Sequence, residues 1–419
     1  MYSYGCSFIT ILLLIIPQTI ITVNLKNKSF YYIKNNLFTY EHNNKFRHKN
    51  KVKKKIIYNI TINNIDNSQK HTTKLCNVYY DYTKTNDLIS KINTYEEAYD
   101  AIYAELEKKK KEHLDYIDNL NTFDGFLKQY YKEIKKHKTC TPQTFVYNYL
   151  TFFNAFKKYR NYIFDNLHKY DLSLYNWSLD FWLPLINQKA SKFIGIPNIT
   201  KIKNWLKNNE NVFILSNHHI ETDANIIKMF FHTNNAEDIA KNIIFIGGHK
   251  IRNDPLSKPF SVATNLLCIY SKKYIDYPPH LKEEKTAFNL KSLNTLNNLL
   301  SKGKQIIWFA PHGGRDRKRT NESIPIGSFD KKIIQMFLIF AKRSKIKTHF
   351  VGMALNTYNI CPPPNSIDVD EIEKQRTCSY SPIGINLGED MLEIYSEKNK
   401  NDITTNFYNY VNNLYKQII

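Results

Sequence analysis

NVFILSNHHIETD, Asn211–Asp223, is the stretch that decides how the rest of this chain can fold. It opens with the short apolar run Val212–Leu215, which has the length of a buried strand, and Ser216-Asn217 interrupts that run. An apolar stretch with helical spacing then starts at Asp223. A strand that ends where a helix begins places the intervening residues at the carboxyl edge of a sheet, where open α/β folds bind ligands.

Two residues of this turn have the chemistry of an acid–base pair. His218 and Asp223 are separated by four residues. A neutral imidazole held by a nearby carboxylate is the usual general base near neutral pH. A polar turn with two histidines is, taken alone, more often a solvated loop, so this interpretation depends on what the other strand ends carry.

The pattern around this turn predicts an α/β domain. After Pro184, short apolar runs alternate with runs of helical spacing, which favours a mostly parallel, mixed sheet covered by helices on both faces. The predicted strands are Val212–Leu215, Ile243–Gly247, Leu266–Tyr270, Gln305–Phe309, His349–Ala354 and a last one near Ser379–Ile385. The predicted helices lie near Thr200–Lys207, Asp223–Thr233, Ala287–Leu300, Lys331–Arg343 and Ile403–Ile418.

A helical region precedes this domain. From about Asn86 to Lys157 the chain has helical spacing and almost no Gly or Pro. Apolar stripes with charged opposite faces, as in Tyr95–His113, predict a small helical bundle. We therefore predict a helical bundle domain at residues 81–160 and a larger catalytic α/β domain at residues 161–419.

The first 80 residues have the composition of a leader. Phe8–Ile16 is an apolar run of signal-peptide length, although no basic residue precedes it, and a signal anchor is the alternative. The segment from Asn24 to about Lys74 is basic and poor in acidic residues, as transit peptides are; a nucleic-acid arm is its alternative. We predict a signal peptide at residues 1–24 and a disordered, transit-peptide-like leader at residues 25–80.

Net charge and cysteine spacing indicate where the basic residues lie and which structural sites to expect. The 419 residues contain 59 Lys and Arg against 38 Asp and Glu, a formal net charge of +21. Residues 1–75 hold twelve of the basic and two of the acidic residues, so about half of the net charge lies in the leader. The six cysteines are far apart and include no C-x-x-C pair, which predicts single buried thiols without disulfides or structural zinc.

Basic residues follow two other predicted strands. The strand Gln305–Phe309 runs into Gly313-Gly314. Arg315 and Arg317 come next, and Lys273 follows another strand. Glycine allows close backbone approach, and guanidinium groups bind phosphate through paired hydrogen bonds. One basic loop is usually solvated surface, but several that meet a histidine turn at one sheet edge predict a site for a phosphorylated substrate.

Together these segments resemble the plastid-type soluble glycerol-3-phosphate acyltransferases. The stretches N-H-x4-D, D-P-L-x-K-P-F (Asp254–Phe260), Y-S-K-K, A-P-x-G-G-R-D-R and M/C-P-P-P recur in the same order between about Leu183 and Glu389. The first stretch alone is shared by a wider acyltransferase group, whereas the combination is specific. The resemblance implies an N-terminal helical domain followed by a larger α/β domain.

The resemblance also implies a phosphate site. Lys273, Arg315 and Arg317 match the family's phosphate-binding positions. Tyr274 stands where the family has a histidine, and it can donate a hydrogen bond but carries no charge at neutral pH. We expect all four residues to contact glycerol 3-phosphate, with Tyr274 as the departure from the family pattern.

The function implied by the resemblance is acyl transfer from a thioester to the sn-1 hydroxyl of glycerol 3-phosphate. His218 would be the general base and Asp223 the residue that orients it, giving lysophosphatidate in the first step of plastid phospholipid synthesis. The expected co-substrate is an acyl carrier protein or coenzyme A thioester, both acidic. We expect no cofactor, no metal and no nucleic acid, and we expect peripheral membrane contact. The leader predicts delivery through the secretory pathway to a plastid such as the apicoplast.

Three alternatives stay open. A lysophosphatidate acyltransferase would use the same turn on a larger acceptor. A hydrolase would use the histidines and Asp223 as metal ligands, but the sequence offers no third ligand at suitable spacing. A non-enzymatic basic protein that binds nucleic acid or a membrane surface would need aromatic residues interleaved with its basic patches.

Overall fold

Three strands lie in the predicted leader. The structure, a computed structural model, describes residues 21–25, 28–33, 36–41, 87–271, 275–318, 324–363, 376–395 and 402–419. The chain divides into two units, Met1–Ile57 and Tyr58–Ile419. In the first unit, β1 (Ile21–Leu25), β2 (Lys28–Ile33) and β3 (Asn36–Glu41) form an antiparallel sheet.

These strands differ from the disorder predicted for the leader. Their Ile, Val, Phe and Tyr residues favour extended backbone, which the basic composition of this segment does not indicate. The apolar run Phe8–Ile16 and the rest of the predicted leader lie outside the described residues.

An open, mixed sheet of eight strands organises the second unit. Its strands are β4 (Leu167–His168), β5 (Lys192–Ile194), β6 (Asn211–Ser216), β7 (Ile244–Gly247), β8 (Asn265–Cys268), β9 (Ile306–Phe309), β10 (Thr348–Asn356) and β11 (Gly384–Asp390). They lie in the order β4-β8-β7-β9-β6-β10-β11-β5. The five strands from β8 to β10 are parallel neighbours, whereas β11 is antiparallel to β10 and β4 is antiparallel to β8. The predicted α/β class is confirmed.

Helices surround this sheet. They are α1 (Asp87–Ser90), α2 (Tyr95–Glu112), α3 (Ile117–His137), α4 (Pro142–Tyr159), α5 (Leu172–Asp180), α6 (Asn198–Lys207), α7 (Asp223–Thr233), α8 (Glu237–Asn242), α9 (His249–Asn253), α10 (Lys258–Val262), α11 (Lys282–Leu300), α12 (Lys331–Ser344), α13 (Met391–Tyr395) and α14 (Ile403–Lys416). Across the described residues, none of them combines the length and the apolarity that crossing a membrane requires.

Alternate residues of β6 pack into two different cores. Val212 and Ile214 belong to the core that contains the N-terminal helices and α7. Phe213 and Leu215 belong to the core formed with α11, α12 and α14. Since side chains alternate across a strand, this division means that both faces of the sheet are covered, as predicted.

Two of the N-terminal helices, α3 and α4, bury many aromatic side chains. Phe123 of α3 stacks on Phe152 of α4 with ring centroids 4.2 Å apart. The buried Tyr130 hydroxyl donates to the carbonyl of Phe181 at 2.7 Å and so ties α3 to the chain that follows α5. These helices share a core with the sheet, and the domain boundary at residue 160 stays a prediction.

The last strand differs most from its prediction. It was expected near Ser379–Ile385, whereas β11 begins at Gly384. Pro382 has no backbone N–H for a sheet ladder, which explains why regular pairing starts after it. The short elements β4, β5 and α8–α10 were not predicted, because segments of two to six residues show too few periods of a hydrophobic pattern.

Candidate active site

One carboxylate fixes the turn that follows β6. Asp223 is fully buried at the start of α7, and its Oδ2 accepts the backbone N–H groups of His219 (2.7 Å) and Ile220 (3.1 Å). The same oxygen lies 2.8 Å from Nδ1 of His218. Oδ1 accepts the hydroxyl of Thr357 at 2.6 Å. A single side chain therefore folds the turn and holds the imidazole.

The protonation state of this pair follows from its surroundings. Burial alone would raise the pKa of Asp223, but the hydrogen bond and charge of His218 outweigh burial and hold that pKa below its usual range. An ionised Asp223 can only accept, so Nδ1 of His218 carries a proton, and in the neutral imidazole Nε2 keeps the lone pair. The side chain of His218 is 25% exposed, which makes that lone pair accessible.

The second histidine of the turn has a different role. His219 is fully buried, and its Nδ1 accepts the backbone N–H of Thr357 at 3.2 Å. Burial lowers the pKa of His219 to about 4, so the ring is neutral at physiological pH. His219 thus joins the turn to the chain after β10 and is not the candidate base.

The loop after β9 is clamped to the same turn. Asp316 donates its backbone N–H to the carbonyl of His218 at 2.7 Å, and its side-chain Oδ2 accepts the backbone N–H of His218 at 3.3 Å. Its Oδ1 accepts the N–H of Gly327 at 2.7 Å. Burial raises the pKa of Asp316, and these hydrogen bonds oppose that shift. Because Arg315 and Arg317 flank Asp316, the clamp holds both arginines beside the histidine turn.

Asn217 and Trp308 complete the support of His218. The side chain of Asn217 donates to the Leu355 carbonyl and accepts the Leu355 N–H, both at 2.8 Å, so it locks the end of β6 to β10. The Trp308 ring lies edge-on to His218 with centroids 5.6 Å apart. These contacts restrict how the imidazole can rotate.

Four charged side chains form a network next to the turn. Arg315 donates to Glu221 Oε1 at 2.9 Å. Arg376, which is 9% exposed, donates to Glu221 (3.2 Å) and to Asp254 (3.0 Å). Asp254 in turn accepts the N–H of Leu256 at 3.0 Å. This network joins the β6 turn, the β9 loop, the loop before α10 and the chain before β11.

The structure brings together four of the six predicted site residues, namely His218, Asp223, Arg315 and Arg317, at the carboxyl edge of the parallel strands. The other two, Lys273 and Tyr274, lie outside the described residues.

Sequence reasoning missed Thr357, Asp316, Glu221 and Arg376. Glu221 and Asp316 lie inside the N-H-x4-D and A-P-x-G-G-R-D-R stretches, and Thr357 lies just after the predicted strand His349–Ala354, so proximity in sequence was a usable signal. Arg376 follows no apolar strand pattern, and nothing in the sequence marks it.

One group of side chains elsewhere has the composition of a metal site. Among the described residues, His349, Asp390 and Glu393 place three potential ligand atoms within 4.8 Å of one another. Both ring nitrogens of His349 are already occupied by hydrogen bonds to Asp390 (2.7 Å) and Glu210 (2.6 Å). We therefore interpret the group as an ion-pair cluster, and the absence of a metal from the β6 turn stays a prediction.

Comparison with known proteins finds similarity to the same enzymes that the sequence motifs resemble. Residues 196–361 match the family model described as Acyltransferase. The chloroplastic glycerol-3-phosphate acyltransferase ATS11 of Cucurbita moschata is 36% identical over 216 residues, which cover 51% of this chain and 47% of that protein. The predicted resemblance is confirmed. The chloroplastic glycerol-3-phosphate acyltransferases of Spinacia oleracea (34% over 232 residues; 55% and 47%) and Arabidopsis thaliana (32% over 211; 50% and 45%) are similar as well.

The chain spans about half the length of the curated acyltransferases that it matches. The segment matched by the acyltransferase family model runs from the chain before α6 to five residues beyond the end of β10. It contains His218, Asp223, Arg315 and Arg317, and it ends before Arg376.

Proposed function

We propose that this protein is a glycerol-3-phosphate acyltransferase, which moves an acyl group from a thioester to the sn-1 hydroxyl of glycerol 3-phosphate and releases lysophosphatidate. The observation that carries the proposal is the buried Asp223, which holds Nδ1 of a partly exposed His218 at 2.8 Å and leaves Nε2 as the acceptor nitrogen. Similarity to chloroplastic enzymes of that name supports the choice of substrate.

The proposed reaction has no covalent enzyme intermediate. His218 Nε2 takes the proton of the hydroxyl while the hydroxyl oxygen bonds to the thioester carbonyl carbon. The tetrahedral intermediate then expels the thiolate as the carbon–sulfur bond breaks, and the His218 imidazolium returns its proton to the sulfur. Asp223 stabilises the imidazolium between these two steps, because its charge lies on the Nδ1 side of the ring.

Phosphate recognition is assigned to the basic loops. Arg315 and Arg317 are held beside the His218 turn by Asp316, and Lys273 and Tyr274 are included on their match to the family pattern. Arg315 already pairs with Glu221, so a phosphate would share its guanidinium with that carboxylate. Arg317 is chosen for the test because replacing Arg315 would also break its ion pair with Glu221.

Arg317→Ala should raise KM for glycerol 3-phosphate by about 10- to 100-fold, which corresponds to the roughly 1.5–3 kcal/mol of a hydrogen bond to a charged group. KM for the acyl donor should stay unchanged, because the lost contact is with phosphate alone. Steady-state kinetics with each substrate varied in turn measures both values. An equal loss with glycerol and with glycerol 3-phosphate as acceptor would place phosphate recognition elsewhere.

The donor and the compartment belong to the same proposal. An acyl carrier protein or coenzyme A thioester fits the positive charge of the chain beyond the leader. Plastid residence is supported by the chloroplastic relatives, and delivery to an apicoplast through a signal peptide and a transit segment rests on the composition of residues 1–80.

Incubation of the purified protein with labelled glycerol 3-phosphate and each acyl thioester tests the activity directly. Labelled lysophosphatidate is the expected product, formed with wild type and lost with His218→Ala. Acylation of added lysophosphatidate in place of glycerol 3-phosphate would identify the alternative enzyme, and no transfer to either acceptor would refute the proposal.

A further inference from the structure

Helix α12 and the turn after it carry an unusual concentration of one charge. Between residues 331 and 347 the chain has six basic residues and no Asp or Glu. All six are exposed: Lys331, Lys332, Lys342, Arg343, Lys345 and Lys347. The nearest acidic residue in the sequence, Asp330, uses its carboxylate to cap the helix through the N–H groups of Lys332 and Ile333.

These cations have few acidic neighbours among the described residues, although the charge of Lys331 helps to lower the pKa of Asp402. Across the described part of the chain, none of the six forms an ion pair with a carboxylate. Two exposed lysines of the N-terminal helices differ from them, since Lys108 of α2 pairs with Glu105 and Glu112, and Lys128 of α3 pairs with Asp124. Unpaired cations on one helix attract an anionic partner, whereas paired ones do not.

An apolar strip runs along the outer face of α12 between its basic ends. Ile334 and Phe337 face the sheet, where Phe337 stacks on Phe309 with ring centroids 3.9 Å apart. Residues four, seven and eleven positions after Lys332 lie on the opposite face, because 3.6 residues complete one turn. The residues of that face are Lys332, Met336, Ile339 and Arg343. Together with Gln335 and Phe340 they line a shallow groove. Ile339 is 50% exposed.

We propose that this face of α12 docks on the surface of an anionic lipid bilayer. An aliphatic strip bordered by long basic side chains is the pattern of helices that lie at a membrane interface. Each exposed Lys or Arg adds attraction to acidic headgroups. An acidic protein would use the cations but has no need of the exposed Ile339, and a nucleic acid would favour exposed aromatic rings, so the lipid surface fits best.

Docking through α12 would bring the candidate active site close to the bilayer. Asp330, which caps the helix, donates its N–H to the carbonyl of Pro311 at 3.2 Å, and Pro311 opens the loop that carries Arg315 and Arg317. An amphiphilic product released there would have a short path to a lipid phase. The docking itself does not rest on the proposed activity, and its test needs no substrate.

Lysine footprinting of the full-length protein tests the proposal locally. An amine-acetylating reagent is applied with an excess of vesicles made of equal parts phosphatidylcholine and phosphatidylglycerol, or of phosphatidylcholine alone, and modification is read by mass spectrometry. We expect acetylation of Lys332 and Lys342 to slow by about fivefold or more on the anionic vesicles only, because amines held against acidic headgroups are shielded from the reagent. Lys108 and Lys128, with side chains 60% and 59% exposed, are internal controls that should not change.

The variant Lys342→Glu/Arg343→Glu should lose the protection of Lys332, whereas Lys108→Glu/Lys128→Glu, with the same change in net charge, should keep it. Equal acetylation on both vesicle types, or equal protection of all four lysines, would overturn the proposal. Protection of Lys332 and Lys342 by an acidic acyl carrier protein but not by anionic vesicles would also overturn it and assign the face to a protein partner.

Discussion

Two histidine–aspartate pairs lie at opposite ends of neighbouring parallel strands. His218 follows the carboxyl end of β6, whereas His349 lies near the start of β10, in register with Val212 at the start of β6. His218 is paired with one carboxylate, that of Asp223, and its side chain is 25% exposed. His349 is fully buried between Asp390 and Glu210, and it stacks on Trp205 with ring centroids 3.9 Å apart.

The comparison shows that a histidine–aspartate pair is not in itself a catalytic signature. Both carboxylates hold Nδ1 at nearly the same distance, 2.8 Å from His218 and 2.7 Å from His349. The difference lies at the second nitrogen, which Glu210 occupies in His349 and which remains an acceptor in His218. A general base needs a nitrogen lone pair that the substrate can reach, whereas a structural ion pair needs both ring nitrogens held by partners.

The largest effect expected from this comparison separates the two histidines by function. His218→Gln keeps a donor for Asp223 but removes the base, so turnover of glycerol 3-phosphate should fall by about 10²–10⁴-fold, the usual loss for a general base. Thermal unfolding of this variant should match wild type. His349→Gln should do the opposite, with a lower Tm and nearly unchanged turnover. Comparable kinetic losses in both variants would contradict the division of roles.

Asp223→Asn should have a smaller kinetic effect than His218→Gln. The amide oxygen can take the place of Oδ2, which accepts two backbone N–H groups as well as the His218 ring N–H, so the imidazole stays in place. A neutral amide, however, stabilises an imidazolium less than a carboxylate does. Turnover should therefore drop while KM for glycerol 3-phosphate stays nearly constant. A rise in KM alone would mean that Asp223 shapes the binding site and does not act on the base.

The smallest effect concerns stability and comes from the other pair. Burial alone would lower the pKa of His349, but the hydrogen bonds to Asp390 and Glu210 outweigh burial and raise it above its usual value. A raised pKa in the folded state stabilises the protein fully below about pH 6.5, and this contribution is lost as pH rises through the folded pKa. The difference in free energy of unfolding between wild type and His349→Gln should thus shrink as pH rises from about 6.5 towards alkaline values.

Urea unfolding of both proteins across that range measures the difference, and groups that titrate alike in the two proteins cancel. A difference that does not change with pH would show that His349 acts through packing on Trp205 and not through its charge.

Strong local patterns made much of the fold predictable. The apolar run Val212–Leu215 predicted β6, and the helical spacing after Asp223 predicted the bounds of α7. Both predictions were possible because a buried strand and an amphipathic helix have different hydrophobic periods. His218 and Asp223 could be paired for the same reason, since both lie in the one turn between those elements.

Contacts between distant strands could not be predicted. Thr357 reaches Asp223 only because β10 lies beside β6, and no local pattern specifies that neighbour. Arg376 pairs with Asp254 and Glu221 across 122 and 155 residues of chain, which depends on tertiary packing alone. The contribution of Lys273 and Tyr274 to phosphate binding stays a prediction of the motif.

Restoration of activity by imidazole tests the central claim, that His218 is the base, most directly. In His218→Ala the ring is replaced by a space beside Asp223, into which free imidazole fits as a substitute acceptor. We predict that turnover of glycerol 3-phosphate by His218→Ala is low and rises with added imidazole, whereas Asp223→Asn and Arg317→Ala do not respond. Turnover of His218→Ala within about threefold of wild type before any imidazole is added, far short of the loss expected for a missing base, would contradict the account.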